Sequence, residues 1–205
     1  MIKLMELLPE ERETERLLDE EGLLHDMDRE HFRHKNDVVV GFCIDGRHVV
    51  RGVLEPFMSM YDETKGLCFS PIPRYGGTLV LDENSPLVVP GHTTDIDFIN
   101  DIKKSVEIGY KALCLINHFP CAMARKYNIH PLRVVDSLMH AKKRIKVDEG
   151  ISDITVACFL QITDGERRRI ARVPYGDFLS WKEKKWHQNT SFKMVGGFYQ
   201  QPLSI

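Results

Sequence analysis

The chain's 205 residues are 42% hydrophobic and 28% charged, the composition of an ordinary globular protein long enough for one substantial core. A formal net charge of −2 gives the molecule as a whole no electrostatic footprint for nucleic acid or an anionic membrane. No apolar segment is long enough to span a bilayer, and the start "MIKLMELLPEERETERLL" is too acidic and polar for a signal or transit peptide, so a cytoplasmic protein is expected.

In chain order, residues 3–34 are charge-rich with leucines at helical spacing, which predicts one or two amphipathic helices broken near Gly22. The β-branched run Val38–Phe42 predicts a buried strand that delivers Cys43 at its carboxyl end. Residues 51–93 contain Pro56, Pro71, Pro73, Pro86, Pro90 and the Gly76-Gly77 pair, so loops around a short strand at Thr78–Leu81 are expected. Thr93 or Thr94 then caps a helix with Ile99, Ile102 and Val106 on one face and Gly109 at its end. Lys111–Ile116 is a short apolar strand that runs into Asn117-His118. Further helices are expected from Pro120 and from Pro131, the latter turning Leu132, Val135, Leu138 and Met139 inward. After Gly150, "DITVACFLQI" reads as a strand, and Thr163-Asp164-Gly165 as a turn into a second strand at Arg168–Val173. This order predicts an α/β fold: a mainly parallel β-sheet flanked by helices, with an antiparallel edge strand or hairpin near the C-terminus.

The five cysteines, Cys43, Cys68, Cys114, Cys121 and Cys158, are odd in number and scattered, which does not suggest a disulfide framework. Cys114 and Cys158 fall on apolar strands and read as small core residues. Cys43, His118 and Cys121 are different, because each lies at or just after a strand's carboxyl end, where open α/β sheets bind ligands. Thiolates and a neutral imidazole are ligands Zn²⁺ prefers, and three of them leave a fourth coordination position open. A place for Cys121 in the first turn of a helix would favour its thiolate.

"CIDGR" at 43–47 and "HFPC" at 118–121 together resemble the signature of the β-class carbonic anhydrases, C-x-D-x-R with H-x-x-C. The similarity extends to the preceding "SVEIGYKALCLIN" and to "ITVACFLQITDG", and runs from about Asp37 to about Val173, interrupted by residues 51–93. The resemblance implies that Cys43, His118 and Cys121 hold Zn²⁺. It implies that Asp45 either orients the nucleophilic water or takes the fourth coordination place in a closed form, and that Arg47 pairs with Asp45 and draws it off the metal. The implied activity is reversible hydration of CO₂ to bicarbonate, and the implied assembly is a homodimer or higher homo-oligomer, with no nucleic-acid or membrane partner. The implied division is an N-terminal helical arm (1–36), a zinc-binding α/β core (37–173) and a C-terminal tail (174–205) within one domain. Alternatives are a zinc hydrolase of a related small electrophile such as COS or CS₂, and a non-catalytic zinc-binding interaction module.

The chain departs from the family pattern at Asn117 and Ala122, where the family has glycine, and at Gly46, where it has serine. It also lacks a clear R-N-A-G-type segment, although "PRYGGTLVL" lies in the corresponding region. "PGHTTD" at 90–95 superficially looks like a second ligand motif, but Thr93, Thr94 and Asp95 are explained as helix-start residues. His92 and His48 stay open as proton carriers. The basic stretches "KKRIK" (142–146) and "ERRRIAR" (166–172) read as the last turn of a helix and as an exposed edge strand guarded by charge.

Overall fold

The structure, a computed structural model, describes residues 6–27, 37–45, 55 and 68–186. Its frame is a six-stranded mixed sheet: β1 His25–Asp26, β2 Asp37–Cys43, β3 Cys68–Arg74, β4 Ala112–Phe119, β5 Thr155–Asp164 and β6 Arg167–Arg172, in the order β1-β6-β5-β4-β2-β3. β3, β2, β4 and β5 run parallel, while β6 and β1 continue the sheet antiparallel. The helices are α1 Pro9–Glu20, α2 Thr94–Glu107, α3 Ala122–Lys126, α4 Pro131–Val147 and α5 Tyr175–Trp181, with a 3₁₀ turn at Gly77–Leu81 and a π turn at Lys182–Trp186. The expected α/β arrangement with its late hairpin is present, and Gly165 (φ +60°) makes the turn between β5 and β6.

Alternation sorts each strand onto two faces. Val39 and Cys43 of β2, Leu113 and Leu115 of β4, and Cys158 and Leu160 of β5 join the main core with residues of α1, α2 and α4. Val38, Val40, Phe42, Cys114, Ile116 and Phe159 form a second buried cluster on the opposite face. Strands buried on both faces need the near-continuous apolar runs read in the sequence. On α4, Leu132, Val135, Leu138 and Met139 are buried as expected. That helix starts with Pro131 behind His130, whose ring nitrogen accepts from the Leu132 N–H at 3.2 Å.

Three local expectations are corrected. Residues 68–74, placed in a loop region, form β3, which among the described residues pairs only with β2 at the edge of the sheet. Pro71 and Pro73 are tolerated because residues two apart turn their backbone nitrogens to the same side, here the unpaired one. Thr78–Leu81 is 3₁₀-helical rather than extended, since Gly76 (φ +82°) and Gly77 (φ +58°) turn the chain back beneath β2. The helical pattern of 3–34 yields α1, which ends just before Gly22, but then the short strand β1, because its backbone pairs with β6. This pairing, with the carboxylates of α1, also braces β6: Glu15 binds Arg167 at 2.5 Å, and Asp19 and Asp26 bind Arg169 at 2.6 and 2.5 Å. β1 thus takes the sheet edge beside Ala171 and Arg172, while Glu166, Arg167 and Arg168 stay exposed, as expected of a charge-guarded strand. In the other basic stretch, Lys142 donates to the Val156 carbonyl at 2.8 Å and Arg144 pairs with Asp95 at 2.7 Å.

Candidate metal centre

β2 is followed in sequence by its neighbour on one side, β3, whereas β4 lies on its other side. The carboxyl ends of β2 and β4 thus flank the switch point of the parallel sheet, where the diverging connections open a crevice. β2 ends at Cys43 and β4 ends at Phe119, so Cys43 and His118 are delivered to the same edge. The chain then turns, and Cys121 precedes α3 with an extended backbone (φ −109°, ψ 117°). Cys121 is thus the residue before the helix rather than a member of its first turn, and the helix begins at Ala122 instead of Pro120.

Among the described residues, Cys43, His118 and Cys121 form the one group of three or more histidine, cysteine or acidic side chains whose ligating atoms all lie within 4.8 Å of one another. Each is at most 4% exposed, so the cluster is shielded from bulk water. The two sulfurs share a hydrogen bond. That bond, with the His118 ring and the Asp45 backbone N–H beside it, holds Cys43 down to about 4 against the opposing effect of burial. The same bond, burial and the Cys43 charge push Cys121 up, although the backbone N–H groups of Ala124 and Met123 act the other way. The two thiols therefore titrate as a pair rather than independently.

The residues fit a metal ion. Their donor set is two sulfurs and an imidazole, converging and buried, which is the chemistry Zn²⁺ favours. The backbone around them is closely fitted: a Cβ on Gly77 would come within 2.7 Å of the Cys43 backbone nitrogen, so only glycine allows the 3₁₀ turn to lie against β2. Arg74, the register partner of Cys43, is held by an ion pair to Asp101 of α2 and stacks 5.6 Å from the Phe98 ring.

Asn117, at a position where the family pattern has glycine, is a structural clip. Thr78 Oγ1 donates to its Oδ1 at 2.7 Å, and its Nδ2 donates to the Val134 carbonyl and to Ser137 Oγ at 2.7 and 3.0 Å. These bonds tie the 3₁₀ turn, β4 and α4 together directly beside His118. Ala122 opens α3.

Of the other singled-out positions, Asp45 is half-buried just beyond Cys43. Gly46, Arg47 and His48 lie outside the described residues. His92 is exposed at the approach to α2, apart from the sulfur cluster, while Thr93 Oγ1 donates to Asp97 at 2.9 Å and Asp95 pairs with Arg144, as helix-start residues do. Cys158 is a core residue, its thiol pushed up to about 12 by burial, and Cys114 is buried in the second cluster. Sequence reasoning passed over Gly77 and Gln161. The Gly-Gly pair was a visible signal for the first, and a lone polar residue inside "ACFLQI" for the second. Among the described residues no helix is long and apolar enough to cross a membrane. In comparisons with known proteins, no family model matches the chain and no curated protein matches its sequence.

Proposed function

We propose that this protein is a zinc-dependent enzyme similar to the β-class carbonic anhydrases, which interconverts CO₂ and water with bicarbonate and a proton. The observation that carries the reading is the convergence of Cys43, His118 and Cys121 on one buried point, at the ends of the strands where the C-x-D-x-R and H-x-x-C motifs fall. Bound there, Zn²⁺ supplies the Lewis acidity that makes water a nucleophile near neutral pH. The chain's own residues do the rest. Two thiolates balance the charge of the ion, and the neutral imidazole completes a three-residue set. Burial of all three keeps the ligand atoms dry and strengthens their hold. Asp45, whose backbone N–H supports the Cys43 sulfur, is assigned the orientation of the attacking water, or the fourth coordination place in a closed form. Arg47 is assigned the pairing that holds Asp45 away from the ion. A cytoplasmic setting keeps the thiols reduced, and a homodimer or higher homo-oligomer is the proposed assembly.

The deciding measurement is stopped-flow CO₂ hydration at about pH 8.5, above the near-neutral pKa that zinc gives to water, on protein shown to carry one zinc per chain, with Cys121→Ser as control. Turnover that disappears in the control supports the reading. Zinc-loaded protein without turnover would replace it with the non-catalytic zinc module or with a hydrolase of COS or CS₂, and the same assay run on those substrates separates the two.

A further inference from the structure

Gln161 lies on β5 as the register partner of His118 on β4. Register partners on neighbouring parallel strands project from the same face of the sheet, about 4.8 Å apart, so the amide of Gln161 and the ring of His118 are neighbours. Gln161 is 1% exposed. Its Nε2 donates to Thr163 Oγ1 at 3.3 Å, yet its Oε1 is buried without a hydrogen-bond partner. A buried acceptor left unpaired costs about 1–3 kcal/mol, so a fold that keeps one beside a ligand cluster invites the question of what donates to it.

Chemistry supplies a donor. A histidine that ligates a metal through one ring nitrogen carries its proton on the other, and that N–H needs an acceptor which fixes the tautomer and the plane of the ring. Building on the metal reading above, we infer that Gln161 is the positioning residue for His118 in the metal-bound protein: its Oε1, which makes no bond to the ring in this structure, then accepts the N–H of the ring nitrogen turned away from the metal. The sheet register places the acceptor, and the Thr163 bond holds the far side of the amide so that Oε1 is the atom left to accept.

The test combines zinc affinity, measured by competition with a chromophoric chelator, with long-range ¹H–¹⁵N NMR of the histidine rings in zinc-loaded protein. Gln161→Leu, which keeps the volume but removes the acceptor, is expected to weaken zinc 10–100-fold, the range typical for loss of a ligand's supporting partner. It should also shift the His118 ring N–H resonance. The melting temperature of its zinc-free form should equal or exceed that of the parent, because an unpaired buried polar atom has been removed. Gln161→Glu, which presents two acceptor oxygens, should keep the affinity. If Gln161→Leu does not fold, Gln161→Met is read in the same way. Parental affinity and an unmoved ring resonance in the folded variant overturn the assignment and leave the metal reading intact. A parent chain that takes up no zinc overturns both.

Discussion

Two polar clusters in the molecule are built on opposite principles. At α4, His140 Nδ1 lies 2.9 Å from the buried Asp82 Oδ1, its Nε2 lies 3.8 Å from the buried Asp136, and Asp136 is also held by Lys182 at 2.6 Å and Arg133 at 3.0 Å. Carboxylates and cations alternate there, so the network closes on itself and explains its own burial. At the sheet edge, Cys43, His118 and Cys121 bring three electron-pair donors together within 4.8 Å of one another. Protein groups balance the first cluster, whereas the second is a group that could hold a metal ion. A polar cluster reads as structural when its charges are matched within the chain, and as a ligand site when its lone pairs converge.

The sharpest way to break this contrast is to remove a sulfur. Cys43→Ser and Cys121→Ser should each lower zinc affinity by more than about 100-fold, beyond the range for changes outside the ligand set, as read by chelator competition and metal stoichiometry. Metal removal gives the matching stability effect. With free zinc at about 1,000 times its dissociation constant, the metal adds about 4 kcal/mol, so stripping it with a chelator should lower the unfolding midpoint by that amount. Cys114→Ser, in the second core cluster, should leave zinc binding unchanged.

Next comes the cradle. Gly77→Ala introduces a Cβ 2.7 Å from a backbone nitrogen at a φ of +58°, and should cost about 2–4 kcal/mol from left-handed strain and overpacking together, with weaker zinc binding because Cys43 is displaced. Denaturant titration checks the first part and chelator competition the second. Asn117→Ala removes the clip and leaves the buried Thr78 hydroxyl without its acceptor, while Ser137 Oγ keeps its bond to the Val134 carbonyl at 2.8 Å, for an expected loss of about 1–3 kcal/mol. A loss in stability without a loss of zinc affinity in the surviving folded fraction would mark Asn117 as part of the frame alone.

The smallest effect belongs to the closed network. The hydrogen bond that the charged ring donates to Asp82, aided by the Asp82 and Asp136 charges, raises the pKa of His140 above its ordinary 6.5 despite burial and the nearby Lys182. Since the folded value is the higher one, the stabilisation is fully present below about pH 6.5 and is lost as pH rises through the folded value. Urea titrations at pH 5.5, 7 and 8.5 should therefore show a steeper loss of stability with rising pH in the parent than in His140→Gln. Equal slopes would mean that Asp82 does not bind the charged ring.

Much of the frame was legible because it depends on local pattern. Val38–Phe42, Lys111–Ile116 and "ITVACFLQI" are mostly apolar runs too short and too uniformly apolar for surface helices, and Pro131 followed by inward leucines specifies α4. The three candidate ligand positions were legible for two reasons: cysteine and histidine at strand ends have a narrow chemistry, and "CIDGR" with "HFPC" resembles a known signature. β3 was hidden by its prolines, whose acceptability depends on having no neighbour on one side. The 3₁₀ turn was hidden because Thr78–Leu81, a threonine and three apolar residues, fits a strand equally well until a glycine pair bends it under β2.

By itself, then, the sequence determined the α/β class, the parallel core strands and which three side chains arrive at their carboxyl ends, since periodicity and residue chemistry are carried within each segment. Only the tertiary structure decided that those three meet within ligating distance, that Gly77 leaves room for Cys43, that Asn117 joins three elements, and that Gln161 stands beside His118. Each of these depends on register and packing between segments far apart in the chain. Register is a property of paired strands, so no single segment contains it.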